Sequence, residues 1–79
     1  MKTVKVNLNS IDSVKKFVNI VSGMDNTNLD LVSGRYIIDA KSIMGIFSLD
    51  LSNSIELHIH CKEADGAEKV IEAIKEFIV

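Results

Sequence analysis

The side chains best suited to chemistry lie in a short run near the end of the chain. His58 and His60 are two positions apart, with Glu56 before them and Cys61 after them. On a β-strand, side chains at alternate positions point to the same face, so the two imidazoles and the carboxylate would share one side. Imidazole suits zinc, copper or nickel, but a structural zinc site takes four ligands. We therefore expect a solvated sheet face here and no metal site.

Cys61 alternates with the histidines and falls on the apolar side of the same predicted strand. We expect a buried core thiol, because free cysteine behaves as a small apolar side chain. No histidine shares its face, so the pairing that activates a catalytic cysteine is missing. The sequence also offers no glycine-rich phosphate loop and no Ser-His-Asp set. It therefore predicts a protein that is not an enzyme and uses no cofactor.

Two serines stand where amphipathic helices are predicted to begin. Ser10 precedes an apolar repeat at spacings of three and four, and Asp12 lies in the first turn of that repeat. Ser42 precedes a short apolar helix predicted over residues 43–49. Serine is a favoured N-cap because its hydroxyl accepts a hydrogen bond from a free backbone N–H, and an acidic residue in the first turn suits the helix dipole. Both serines are therefore expected to cap helices.

The remaining pattern predicts the elements that position these residues. Alternation of apolar and polar residues predicts a strand over 2–8, a hairpin over 29–38 that turns at Ser33-Gly34, and a strand after Asn53. Residues 25–28 are interpreted as a turn. Helical periodicity predicts a last helix from Asp65 or Gly66 and a first helix after Ser10. The apolar stripe of the first helix comprises Ile11, Val14, Phe17, Val18 and Val21.

The predicted order is β-α-β-β-α-β-α, in one domain over residues 1–79. Four strands with one apolar face and three amphipathic helices favour an α+β fold, with the helices packed on one side of the sheet. Apolar residues make up 47% of the chain, and there is no proline to interrupt the elements. The core can therefore be dense enough for a chain of this length to fold.

Charge and composition restrict the partners. Nine basic and eleven acidic residues give a formal charge of −2, which argues against a nucleic-acid surface and favours protein partners or small ligands. The single cysteine cannot form an internal disulfide, which fits a reducing compartment. No signal peptide and no run of about 18 apolar residues is seen, so a cytoplasmic protein without a membrane span is expected.

Residues 41–49, Lys-Ser-Ile-Met-Gly-Ile-Phe-Ser-Leu, resemble the regulatory-serine segment of HPr, the histidine-containing phosphocarrier of the bacterial sugar phosphotransferase system. The family pattern there is close to Lys-Ser-Ile-Met-Gly-Val-Met-Ser-Leu. The resemblance implies an open-faced sandwich with a four-stranded antiparallel sheet. It further implies a phosphoacceptor histidine at the start of the first helix. It also implies a serine, here Ser42, that a dedicated kinase phosphorylates in Gram-positive relatives.

The phosphoacceptor histidine is absent. Counting back from Gly34, its position is held by Ser10 and that of the motif arginine by Asp12, and no histidine precedes His58. Phosphoimidazole is readily transferred, whereas a phosphoserine would be a stable ester. Asp12 would repel the phosphate that arginine would hold, by roughly 1 kcal/mol or more. Ser10 is therefore not expected to carry phosphate, and both residues are interpreted as capping residues.

The sequence therefore predicts an HPr-like regulatory or interaction module that no longer carries phosphate. Its control would come through Ser42, and by resemblance its partners would be phosphotransferase-system enzymes, a kinase or a transcriptional regulator. The side chains predicted to dock them are Ile43, Met44, Ile46 and Phe47. One alternative is a phosphocarrier or phosphoacceptor that uses Ser42 or a non-standard residue. A second alternative is a structural domain without a signalling role.

Overall fold

The computed structural model describes residues 1–24, 27–63 and 65–79. The predicted element order is confirmed, with one turn of 3-10 helix added near the end of the chain. Along the chain the elements are β1 (Lys2–Val6), α1 (Ile11–Ser22), β2 (Thr27–Ser33), β3 (Tyr36–Asp39), α2 (Ile43–Phe47), β4 (Ile55–Cys61), α3 (Gly66–Ala73) and the 3-10 turn Lys75–Phe77.

The four strands form one antiparallel sheet in the order β1-β4-β2-β3. β4 lies between β1 and β2, which leaves β1 and β3 at the edges. The outer edge of β1 is covered by the end of the chain, where Val79 N–H donates to the Lys5 carbonyl at 3.0 Å and Asn7 N–H donates to the Phe77 carbonyl at 2.8 Å. The helices cover one face, so the predicted open-faced α+β sandwich is confirmed.

The core lies between the helices and the sheet face that carries the apolar side chains of β4. Phe17 of α1 is fully buried there, and its ring meets that of Phe77 edge to face, with centroids 5.6 Å apart. No side chain of the described residues buries an unpaired polar atom. The other buried apolar residues are Val6, Leu8, Val14, Val21, Leu29, Leu31, Ala40, Ile46, Leu49, Ile55, Leu57, Ile59, Val70, Ile74 and Phe77.

Two glycines are required by the backbone. Gly34 has φ +58° in the two-residue connection between β2 and β3, a conformation that costs glycine nothing because it has no Cβ. Gly45 lies inside α2, where an added Cβ would stand 2.5 Å from Cγ2 of Ile38. The helical glycine is therefore explained by the close packing of α2 on β3, which offsets its poor helix propensity.

Several predicted boundaries are wrong by a few residues. β1 ends at Val6 instead of residue 8, although Leu8 is still fully buried. β2 begins at Thr27, so the second half of the turn predicted over 25–28 is strand, and residues 25 and 26 lie outside the described residues. α2 ends at Phe47 instead of residue 49. Where a short helix or strand ends depends on its tertiary hydrogen bonds. The apolar periodicity of the sequence does not show these bonds, so the predicted ends are off by a few residues.

Candidate functional site

Ser10 caps α1, as predicted. Its backbone is extended, its Oγ accepts the Ser13 N–H at 3.1 Å, and its hydroxyl donates to Ser13 Oγ at 2.8 Å. The Ser10 carbonyl also accepts the Val14 N–H at 3.1 Å. The Ser10 hydroxyl is therefore already engaged at the helix N-terminus, in a geometry that stabilises the helix by about 1 kcal/mol.

The start of α1 carries a negative charge. Asp12 is exposed in the first turn, where it interacts favourably with the helix dipole. A phosphate on residue 10 would compete for the same electropositive helix end and would be repelled by the carboxylate. Lys16 follows one turn later, but its Nζ pairs with Glu76 Oε2 at 3.0 Å. The arrangement fits a helix cap better than a phosphate site.

Ser42 caps α2, also as predicted. Its Oγ accepts the Gly45 N–H at 3.3 Å, its carbonyl accepts the Ile46 N–H at 3.0 Å, and its own N–H donates to the Asp39 carbonyl at 2.9 Å. The residue is exposed. Ser42 is therefore accessible to solvent while it caps the folded helix.

Lys41 fixes the segment that precedes this cap. Its Nζ donates to the carbonyl of Met24 at 2.8 Å and to that of Thr27 at 3.3 Å, and its backbone N–H donates to Asp39 Oδ1 at 2.9 Å. The ammonium group therefore joins the residue that follows the C-cap of α1 to the start of β2. These bonds hold Ser42 at a defined position beside the sheet.

The apolar side chains of α2 divide between core and solvent. Met44 is 77% exposed and Phe47 is 39% exposed, and these two side chains are called the α2 patch below. Ile43 is partly buried against the core. Ile46 is fully buried, so the prediction that it docks partners is wrong. α2 is only about one and a half turns long, and four of its five residues are large and apolar. Its sequence alone therefore does not show which of these side chains face the core.

Ile11, at the first position of α1, is a functional candidate that the sequence pattern assigned to the core. Its side chain is 63% exposed, because the first residue of the helix extends past the packed part of the stripe. The α1 stripe is otherwise confirmed, with Val14, Phe17 and Val21 fully buried. α1 and α2 are in contact within the helical layer. Ile11 and the α2 patch thus place exposed apolar side chains on α1 and on α2.

The two histidines lie on the opposite side of the sheet, as the alternation predicts. His58 Nε2 is 3.1 Å from Glu56 Oε1, and His60 Nε2 is 3.5 Å from Asp30 Oδ2. Among residues 1–24, 27–63 and 65–79, no group of three or more His, Cys, Asp or Glu side chains could hold a metal ion. Each ring faces a carboxylate, so a phosphoryl group on either ring would meet a negative charge.

Cys61 is less buried than predicted. It lies at the end of β4 with intermediate exposure, and its thiol is 3.8 Å from Thr27 Oγ1. Gly66 at the start of α3 packs against it, since an added Cβ there would stand 3.0 Å from Sγ. The thiol is therefore a peripheral packing group at the sheet end.

The described part of the chain has no helix long and apolar enough to cross a membrane. A search of curated protein sequences finds no significant match to this chain. Among solved structures, the chain is similar to HPr-C-His from Thermoanaerobacter tengcongensis. The two are 26% identical with a TM-score of 0.76, and the match covers 96% of this chain and 89% of the other.

A family model described as the PTS HPr component phosphorylation site matches residues 4–79. This match covers both helix caps described above, strands β2 to β4 and the part of β1 from Val4 onward. The family consists of phosphocarrier proteins that act with other proteins of the phosphotransferase system. The chain therefore belongs to the HPr family.

Proposed function

We propose that this protein is a regulatory protein-interaction module of the HPr family that no longer carries phosphate. The observation that carries the proposal is the state of the first helix end, where Ser10 is a satisfied cap and Asp12 supplies the wrong charge for a phosphate. The helical layer that surrounds it still exposes apolar side chains. A protein that binds partners but does not transfer phosphate needs only this exposed surface, and it does not need a phosphate site at the start of α1.

The docking surface in this proposal consists of the α2 patch and Ile11. Exposed large apolar side chains in a short helix are typical of contact points for proteins, because their transfer from water to an interface is favourable. Met44 supplies a flexible side chain that adapts to different partners. The partners proposed by family resemblance are enzyme I, a kinase that acts on Ser42 and a transcriptional regulator.

Replacement of Met44 and Phe47 by serine should weaken partner binding by about tenfold or more, because a few apolar anchors carry most of an interface's affinity. The measurement is calorimetric titration of purified enzyme I, the kinase and the regulator. Val79→Ser is the matched control. Val79 is also a large apolar side chain that is 68% exposed, but it lies beside β1, away from α2. Equal affinities for the double variant and the control, with both folded, would favour the purely structural alternative.

Phosphorylation of Ser42 is the proposed control. A phosphate at this helix N-cap would face free backbone N–H groups and the positive end of the helix dipole, which favours its ordering. It would also place about two negative charges beside the α2 patch, and so change which partner surfaces can bind there. The exposed hydroxyl and the resemblance of residues 41–49 to the regulatory-serine segment support this role.

Ser42→Asp should change the set of bound partners, whereas Ser42→Asn should leave it unchanged. Both side chains cap a helix about as well as serine, so the pair separates the effect of charge from that of capping. The measurement is a quantitative comparison of proteins retained by each variant and by the wild type. If all three retain the same proteins in the same amounts, Ser42 is a helix cap and the proposed switch is wrong.

A further inference from the structure

The two edges of the sheet differ in a way that the proposed docking surface does not explain. The outer edge of β1 is occupied by residues 77–79, as described above. Along β3, no segment of the described residues pairs with the outer side of the strand. Natural edge strands are commonly protected by short length, charged side chains, proline or a bulge. β3 has only four residues and ends at the charged Asp39, but it contains neither lysine nor proline.

The backbone of β3 has free hydrogen-bonding groups at defined positions. Ala40 N–H donates to the Leu29 carbonyl at 2.9 Å, in the same register that pairs Ile38 with Leu31. In an antiparallel pair, the backbone groups of successive residues point alternately to the two sides. The N–H and C=O of Ile37 and the N–H of Asp39 therefore point away from β2, toward the open edge.

The side chains at this edge are apolar in the middle and oppositely charged at the ends. Tyr36 is 68% exposed and Ile37 is 69% exposed. Arg35 precedes them and makes no ion pair with any described residue, while Asp39 ends the strand. Asp39 lies directly opposite Asp30 on β2, and such facing like charges are destabilising. A cation brought to Asp39 would relieve this repulsion.

We infer that β3 is a self-association edge, at which a second copy of this chain adds its own β3 in antiparallel orientation about a two-fold axis at Ile37. In this register Ile37 faces its own copy, Tyr36 faces Ile38 of the second copy, and Arg35 faces Asp39 in two symmetric ion pairs. Ile37 exchanges both backbone hydrogen bonds with its copy. The segment from residue 35 to residue 39 is thus complementary to itself in charge, apolar contact and hydrogen bonding.

The pairing has to be weak, because one short strand pair buries less than the roughly 1,200 Å² of a standard interface. Sedimentation equilibrium up to about 1 mM protein should show a monomer–dimer equilibrium. Arg35→Glu and Asp39→Arg should each weaken the dimer by about tenfold, since each places like charges at both ends of the pair. Mixed in equal amounts, the two variants should form a heterodimer of wild-type affinity, because all four facing charges are then opposite.

A wild type that stays monomeric at 1 mM would overturn the inference, as would two folded variants that do not associate when mixed. Asp39→Arg also removes the carboxylate that accepts the Lys41 N–H, so its thermal midpoint is recorded. If that variant does not fold, hydrogen exchange of the Ile37 amide in the wild type decides. Slower exchange at higher protein concentration supports strand pairing, and exchange independent of concentration excludes it. Ile37→Lys should abolish association in either case.

Discussion

Replacement of Ser10 by histidine together with Asp12 by arginine should convert this protein into an acceptor of phosphate from enzyme I. The start of α1 already has the free N–H groups that stabilise an anion at a helix N-terminus. What it lacks is an imidazole to form the transferable phosphoryl bond and a cation to hold the phosphate. The wild type should show no acceptance in the same assay, with phosphoenolpyruvate as donor.

The single variants separate the two contributions. Ser10→His alone should accept phosphate about 30-fold more slowly than the double variant, because exchanging Asp12 for arginine changes a repulsion of roughly 1 kcal/mol into a similar attraction. Asp12→Arg alone should accept none. The histidine is a poorer cap than serine, so a stability loss of about 1 kcal/mol accompanies Ser10→His. If the double variant folds and binds enzyme I yet accepts no phosphate, residues other than Ser10 and Asp12 also prevent phosphate acceptance.

Phe17→Ala should cost about 3–5 kcal/mol of unfolding free energy, which is the largest stability effect expected from a single change in this chain. The ring is fully buried and meets Phe77 edge to face, so its removal leaves a cavity and breaks an aromatic pair. A domain of this length has a total stability of roughly 4–12 kcal/mol. The substitution should therefore remove a large part of the total stability, which is measured as a lowered midpoint of urea denaturation.

Two further variants control this measurement. Phe17→Leu keeps most of the volume and should cost under about 1.5 kcal/mol. Phe47→Ala is the same chemical change at a side chain that is 39% exposed, and it should cost about 1–2 kcal/mol because less apolar area is buried there. If Phe17→Ala and Phe47→Ala cost the same, the division of the helical layer into core and docking surface is incorrect.

The sequence predicted the elements well where their period is regular. β4 alternates over its full length, and the observed burial follows that alternation as far as Ile59. α1 has three turns, which is enough for its stripe to identify Val14, Phe17 and Val21 as core. Both serine caps were also predictable, because capping depends on the side chain and on the helix that follows it.

The failures occur where local pattern and tertiary packing differ. Ile11 fits the helical stripe but lies beyond the part of α1 that the core covers. Ile46 could not be separated from Met44 and Phe47, because the sheet decides which side of so short a helix is buried. Cys61 follows the alternation of β4, yet it is at the strand end, where the core covers it only in part. In each case the apolar periodicity of the element is predicted correctly. The sequence pattern does not show how far along the element the packed core extends.

The most direct test of the account is incubation of the wild-type protein with phosphoenolpyruvate, enzyme I and labelled phosphate, followed by acid treatment and localisation of the label. We predict that no acid-labile phosphate is attached to the chain, because Ser10 is a satisfied cap beside Asp12 and both histidine rings face carboxylates. Acid-labile label on His58 or His60 would contradict it, and would make the protein a phosphocarrier that uses the open face of its sheet.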